Sequence, residues 1–211
     1  MNTKKFNQEM AGKNKIASLC HTVVSAIIAV AYIVEYIKGA RTLGYALILT
    51  AVVLGAPIVE WIAYAREKDA ERIKYIMGYG FAIFYAFAIF TSSNPFVFVY
   101  AVPLMITFSV YNNLKFSIGV NSCIILINIL QGVKYIFFDE NWSAEANLAE
   151  LEIQILVMIL AFAFTLVVTN SLEKNNKSKL EDINEKNRLV EELLNNTLEV
   201  SKGVTAGIEE I

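Results

Sequence analysis

Few side chains in the first 170 residues are equipped for chemistry. Glu35 and Glu60 are the only acids in two long apolar stretches, residues 16–38 and 42–65. A charged group at the centre of a spanning helix costs on the order of 2.5 to 3.5 kcal/mol; neither acid is central, so each either snorkels to the interface or forms a local ion pair, or else has a ligand, ion or coupling role. Glu35 sits about one turn from the end of its stretch, close to Lys38 and Arg41; Glu60 sits a turn or two from the end of the other, within reach of Arg66. Cys20 and His21 open the first stretch, and a lone histidine at such a boundary is expected to act as a structural hydrogen-bonder. Asn121 and Asn128 lie in residues 116–138 with Ser117. At 100° per residue the two amides fall within about 20° of each other. They either join helices by hydrogen bonds or line a small-ligand cavity.

Other chemistry is poorly provided for. Cys20 and Cys123 show no metal or redox spacing, so neither a zinc site nor a disulfide framework is expected. With one histidine, no aspartate before Asp69, no HExxH and no nucleophile beside a base, the chain is not expected to be an enzyme or to carry a cofactor. A net charge of −2 without a basic stripe sets nucleic acid aside.

The elements that must hold these residues are written in the hydropathy. Of 211 residues, 56% are apolar and only 18% charged. Six segments meet or approach the roughly 20 apolar residues that span a bilayer: 16–38, 42–65, 73–91, 96–112, 116–138 and 153–170, the fourth and sixth being short. The runs are continuously apolar, without period-two alternation, so helices are expected rather than a barrel. Asn94-Pro95 reads as a turn, Pro57 and Pro103 as kinks, and the aromatics gathered in residues 75–116 as packing and interface anchors. Twelve lysines and arginines flank the connections on one side, from Lys4 to Lys179, against Lys38, Arg41 and Lys134 on the other. Basic residues stay on the cytoplasmic side of a plasma membrane, so both termini are expected there.

From residue 172 the chain turns charge-rich and the apolar spacing alternates three and four. With Leu180 at heptad position a, Asn187, Leu194, Ser201 and Ile208 follow at a, and Ile183, Val190, Thr197, Val204 and Ile211 fall at d. Such a seam predicts a coiled coil, Asn187 favouring one register. Leu193 and Val200 at g and Leu198 at e widen the stripe towards a bundle of more than two helices. The expected fold is therefore an all-α membrane protein: a cytoplasmic tail over 1–15, a six-span bundle over 16–171, and a coiled-coil helix over 172–211 that pairs in a homodimer or higher oligomer.

Six spans with minimal loops feeding a heptad helix resembles the membrane half of bacterial methyl-accepting chemotaxis receptors, and RLVEELLNNTLEVSKGVTAGIEEI is the specific part. It is similar to the stretch where the descending helix of their antiparallel four-helix bundle begins. The resemblance implies a chemoreceptor-like signal transducer, with Glu209 and Glu210, and more weakly Glu191 and Glu192, as substrates of a methyltransferase and a methylesterase. The family's returning helix and its hairpin tip, which binds a kinase and adaptor, are absent, as is the parallel-helix relay module many members carry after the last span. The resemblance thus implies a truncated receptor or sensor fragment that meets kinase and adaptor only if the hairpin is present. The same membrane module could serve a histidine kinase or nucleotide cyclase. A small transporter is the more distant alternative, since spans one to three and four to six show no evident repeat.

Overall fold

Apolar runs of this length must close their backbone bonds internally, and the computed structural model, which describes residues 3–92, 94–138 and 144–209, is helical in every described element. Helix α1 spans Thr3–Ile37, α2 Leu43–Arg66 and α3 Arg72–Thr91. A composite fourth segment follows, with α4 (Ala101–Phe108) between 3-10 turns at Pro95–Tyr100 and Ser109–Tyr111. Helix α5 is Leu114–Phe138, and α6 runs from Ala144 to Glu209. Five helices are long and apolar enough to cross a membrane, and the apolar stretch Phe96–Tyr111 is shorter.

The fourth segment departs from the sequence expectation of one helix kinked at Pro103. Pro103 is the third residue of α4, in the first turn, where a missing N–H breaks no hydrogen bond. At about 2.0 Å per 3-10 residue and about 1.5 Å per α residue, the segment reaches about 30 Å, which the same residues as pure α-helix would not. Pro95 opens its first turn, where Asn94 Oδ1 accepts the N–H of Phe96, and Asn112 closes its last in the left-handed region at φ 49°. Pro57, by contrast, lies within α2, which continues as α-helix on both sides of it.

Packing is inverted relative to a water-soluble bundle. Ile83 is 67% exposed and Phe164 68%, while Asn14, Ser18, His21, Glu60, Ser117, Asn121, Asn128 and Thr169 are buried. Apolar side chains also fill the centre, where Phe81, Phe84, Tyr85, Phe108 and Phe116 stack or meet edge to face. Two glycines of α3 let its neighbours close in. A Cβ on Gly80 would lie 2.5 Å from Ala56 Cβ of α2, and one on Gly78 would lie 2.7 Å from Val120 Cγ2 of α5. Small residues of this kind allow close backbone approach between helices.

Hydrogen bonds staple each end. At one end Asn14 Nδ2 donates to the carbonyls of Lys68 and Ala70, so the polar approach before residue 16 is part of α1 and docks on the α2–α3 turn. At the same end Glu173 Oε2 accepts the N–H of Leu114, joining α6 to the start of α5. The Lys177 ammonium and that N–H hold the Glu173 carboxyl below its ordinary value. At the other end Arg41 donates to Glu35 and to Ser92, and Lys134 Nζ to the carbonyl of Phe90.

Two outcomes follow from this packing. Gly80→Ala should lower thermal stability in detergent by about 1 to 3 kcal/mol through overpacking. Combining it with Ala56→Gly should restore most of that loss, short of about 1 kcal/mol for the new helical glycine; additive losses would mean the helices do not touch there. A carboxyl with a lowered folded value stabilises above its unfolded value and loses that contribution as pH falls through the folded one. Glu173→Gln should therefore flatten the decline of melting temperature as pH falls below the ordinary carboxyl range.

Candidate functional site

Four buried polar residues of α1, Asn14, Ser18, His21 and Ser25, recur at intervals of four, three and four. That rotation lays them along one face, turned inward. Helix α2 supplies Glu60 opposite His21. The imidazole Nδ1 lies 2.6 Å from Glu60 Oε1, and neither side chain is more than 1% exposed. The edge of the Phe81 ring, 6.0 Å away between centroids, covers the imidazole from α3. On the adjoining face Trp61 Nε1 donates to Thr22 Oγ1 at 2.8 Å, so consecutive residues of both helices pair side by side.

The pair is only half satisfied. Glu60 Oε2, the Ser18 hydroxyl and the Tyr111 hydroxyl have no hydrogen-bond partner among the described residues. Tyr111 lies at the end of the fourth segment, whose last 3-10 turn packs on α1. In a low-dielectric interior, removing one partner of such a pair leaves the other buried and uncompensated. The arrangement leaves one buried carboxylate oxygen available to accept a hydrogen bond. No group of three His, Cys, Asp or Glu side chains able to hold a metal ion occurs among the described residues.

A second polar centre joins α3, α5 and α6. Asn128 Oδ1 accepts from the Tyr85 hydroxyl at 2.9 Å and from Gln154 Nε2 at 2.8 Å; Gln154 Nε2 also donates to Gln131 Oε1 at 2.6 Å. Nearer the Glu173 end, Asn121 Nδ2 donates to Ser117 Oγ, on which Thr169 of α6 converges at 3.5 Å. Every hydrogen bond of this centre to α6 locates one helix relative to the bundle.

The expected site residues separate accordingly. Glu60 does not use Arg66, which is exposed at the end of α2; its carboxylate turns inward because position 60 faces α1. His21 is a hydrogen-bonder as expected, buried against Glu60 of α2. Glu35 pairs with Arg41 at 3.2 Å, and Arg41 also lies over the Tyr45 ring, making an end staple distant from the buried pair. Asn128 joins helices as expected, whereas Asn121 bonds within α5 and its Oδ1 has no partner. Glu210 and the side chain of Glu209 lie outside the described residues. Tyr111, Gln131 and Gln154 were not foreseen, although polar residues at helical spacing, as in α1, are a signal the sequence carries. No family model, curated protein or solved structure matches the chain.

Breaking the buried pair should cost more than deleting it. Glu60→Leu leaves His21 buried without a partner and should lose roughly 3 to 5 kcal/mol, while the joint change His21→Leu with Glu60→Leu should recover much of that. Glu60→Gln, whose carbonyl accepts the same N–H, should fall between wild type and Glu60→Leu in a detergent melt.

Proposed function

We propose that the chain is the membrane sensor region and first signalling helix of a chemoreceptor-like signal transducer. In this reading the fourth segment, about 30 Å long by its 3-10 and α rises, completes six crossings. The basic end of the bundle faces the cytoplasm with both termini. The observation that carries the proposal is the unbroken course of α6. One 66-residue helix is held in the bundle through Gln154 and Thr169 and continues into a stretch whose side chains, from Ser178 to Lys202, are all exposed.

An exposed apolar stripe on a helix with no tertiary partner lacks the burial that stabilises helices in water. Leu180, Ile183, Val190 and Leu194 are 36 to 62% exposed, in the three-four alternation of a coiled-coil seam. A second copy of the chain supplies the missing face, giving a homodimer or a bundle of dimers. A stimulus that alters the buried polar centres displaces α6 by a small step, of order 1 to 2 Å, and the stiff helix carries it into the cytosol. The Glu209–Glu210 pair would then be the site of covalent adaptation, and a kinase with its adaptor the output.

In membrane vesicles, with Cys20 and Cys123 replaced by Ser, Leu194→Cys should form intermolecular disulfides readily and Glu192→Cys, on the opposite face, poorly. A Gly-Gly-Pro insertion after Ser171 should leave both positions in the membrane fraction while abolishing any change in Leu194→Cys crosslinking produced by Glu60→Gln. Equal crosslinking at the two positions would contradict a specific seam.

A further inference from the structure

Where α6 leaves the bundle, a cavity of about 370 Å³ opens between it and the start of α5. Lys115, Lys174 and Lys177 line it, together with the carboxamides of Asn112 and Asn170 and the carboxylate of Glu173. Its single acid is already engaged on both oxygens, one with Lys177 Nζ at 2.8 Å and the other with the Leu114 N–H at 3.1 Å. Lys115 and Lys174 form no ion pair among the described residues. The left-handed turn at Asn112 sets Lys115 beside α6 instead of on a continuing fourth helix. The cavity therefore sets two lysines without a direct ion pair, a third lysine and amide donors against a single carboxylate, a set that suits a ligand made only of acceptor oxygens carrying negative charge.

The faces lining the cavity continue into apolar surface. Three residues after Lys115 on α5 is Ile118, 42% exposed; three before Asn170 on α6 is Val167, 67% exposed. Residues three apart share a helix face, so each helix presents a polar lining and, one turn towards the bundle centre, an exposed hydrocarbon side chain. Donor-rich cavity below and apolar strip above match a molecule with an anionic head and an acyl tail.

We propose that this cavity binds the phosphate headgroup of an anionic phospholipid. The inference rests on the membrane placement made under the proposed function. The phosphate bridges Lys115 of α5 and Lys174 of α6, and the acyl chain lies along Ile118 and Val167. A bound lipid thereby fixes α6 against α5 at the point where the cytoplasmic helix begins, alongside the staple that Glu173 makes to Leu114. Anionic lipid in the surrounding leaflet then sets how freely α6 moves relative to the bundle.

The test uses the full chain in nanodiscs of phosphatidylcholine doped with spin-labelled phosphatidylglycerol, reading the immobilised fraction of the label. Wild type should hold phosphatidylglycerol in preference to spin-labelled phosphatidylcholine, and Lys115→Gln with Lys174→Gln should weaken that preference roughly tenfold or more. A control pair at the same end, Arg66→Gln with Lys68→Gln, should leave it unchanged. The proposal is overturned if the control pair lowers the preference equally, which would indicate diffuse attraction, or if wild type shows no preference. It is also overturned if millimolar inorganic phosphate displaces the lipid, which would make the cavity a site for the free anion. Carbonate extraction of the source membranes reports separately on membrane integration, so a failure of that reading is distinguishable from a failure of the lipid site.

Discussion

A surface of isoleucine, valine and phenylalanine cannot hydrogen-bond anything, so every polar group carried by these helices has to find its partner inward or at an end. That constraint orders the bundle. It turns Asn14, Ser18, His21 and Ser25 to one face of α1, sets Glu60 against His21, and gathers Asn128, Gln131, Gln154 and Tyr85 into one hydrogen-bonded cluster. In such an interior a hydrogen bond is stronger than in water, and an unpaired polar group is correspondingly costly. Glu60 Oε2 is one of the buried atoms without a hydrogen-bond partner among the described residues.

The two polar centres differ in what they hold. His21–Glu60 clamps α1 to α2. The Asn128–Gln154 cluster clamps α6 to α5 and α3. Between them runs the composite fourth segment, whose last 3-10 turn packs on both α1 and α6.

Outside the bundle the side chains of α6 from Ser178 to Lys202 are all exposed. Glu173 and Lys177 mark the boundary: above them the helix is positioned by buried amides and hydroxyls, below them by its own i,i+4 pairs such as Lys186 with Asp182. Pairs of that kind contribute only a few tenths of a kcal/mol.

Much of the fold was legible in the amino-acid order. Length of apolar run decided the five long helices, because backbone groups in an apolar setting leave no other local solution, and the three-four spacing after residue 172 marked the exposed stripe of α6. Glu35 as the partner of Arg41 also followed from spacing, since the two lie six positions apart across a short turn, whereas the partners of Asn128, Tyr85 and Gln154, lie 43 and 26 positions away. Tertiary structure alone decided the partner of Glu60, because the side chain that meets it lies 39 positions away and nothing local distinguishes His21 from Arg66. It likewise decided the 3-10 winding around α4, the docking of Asn14, and the meeting of Lys115 with Lys174. Each depends on how segments far apart in the sequence pack against one another, a quantity that no one-dimensional pattern encodes.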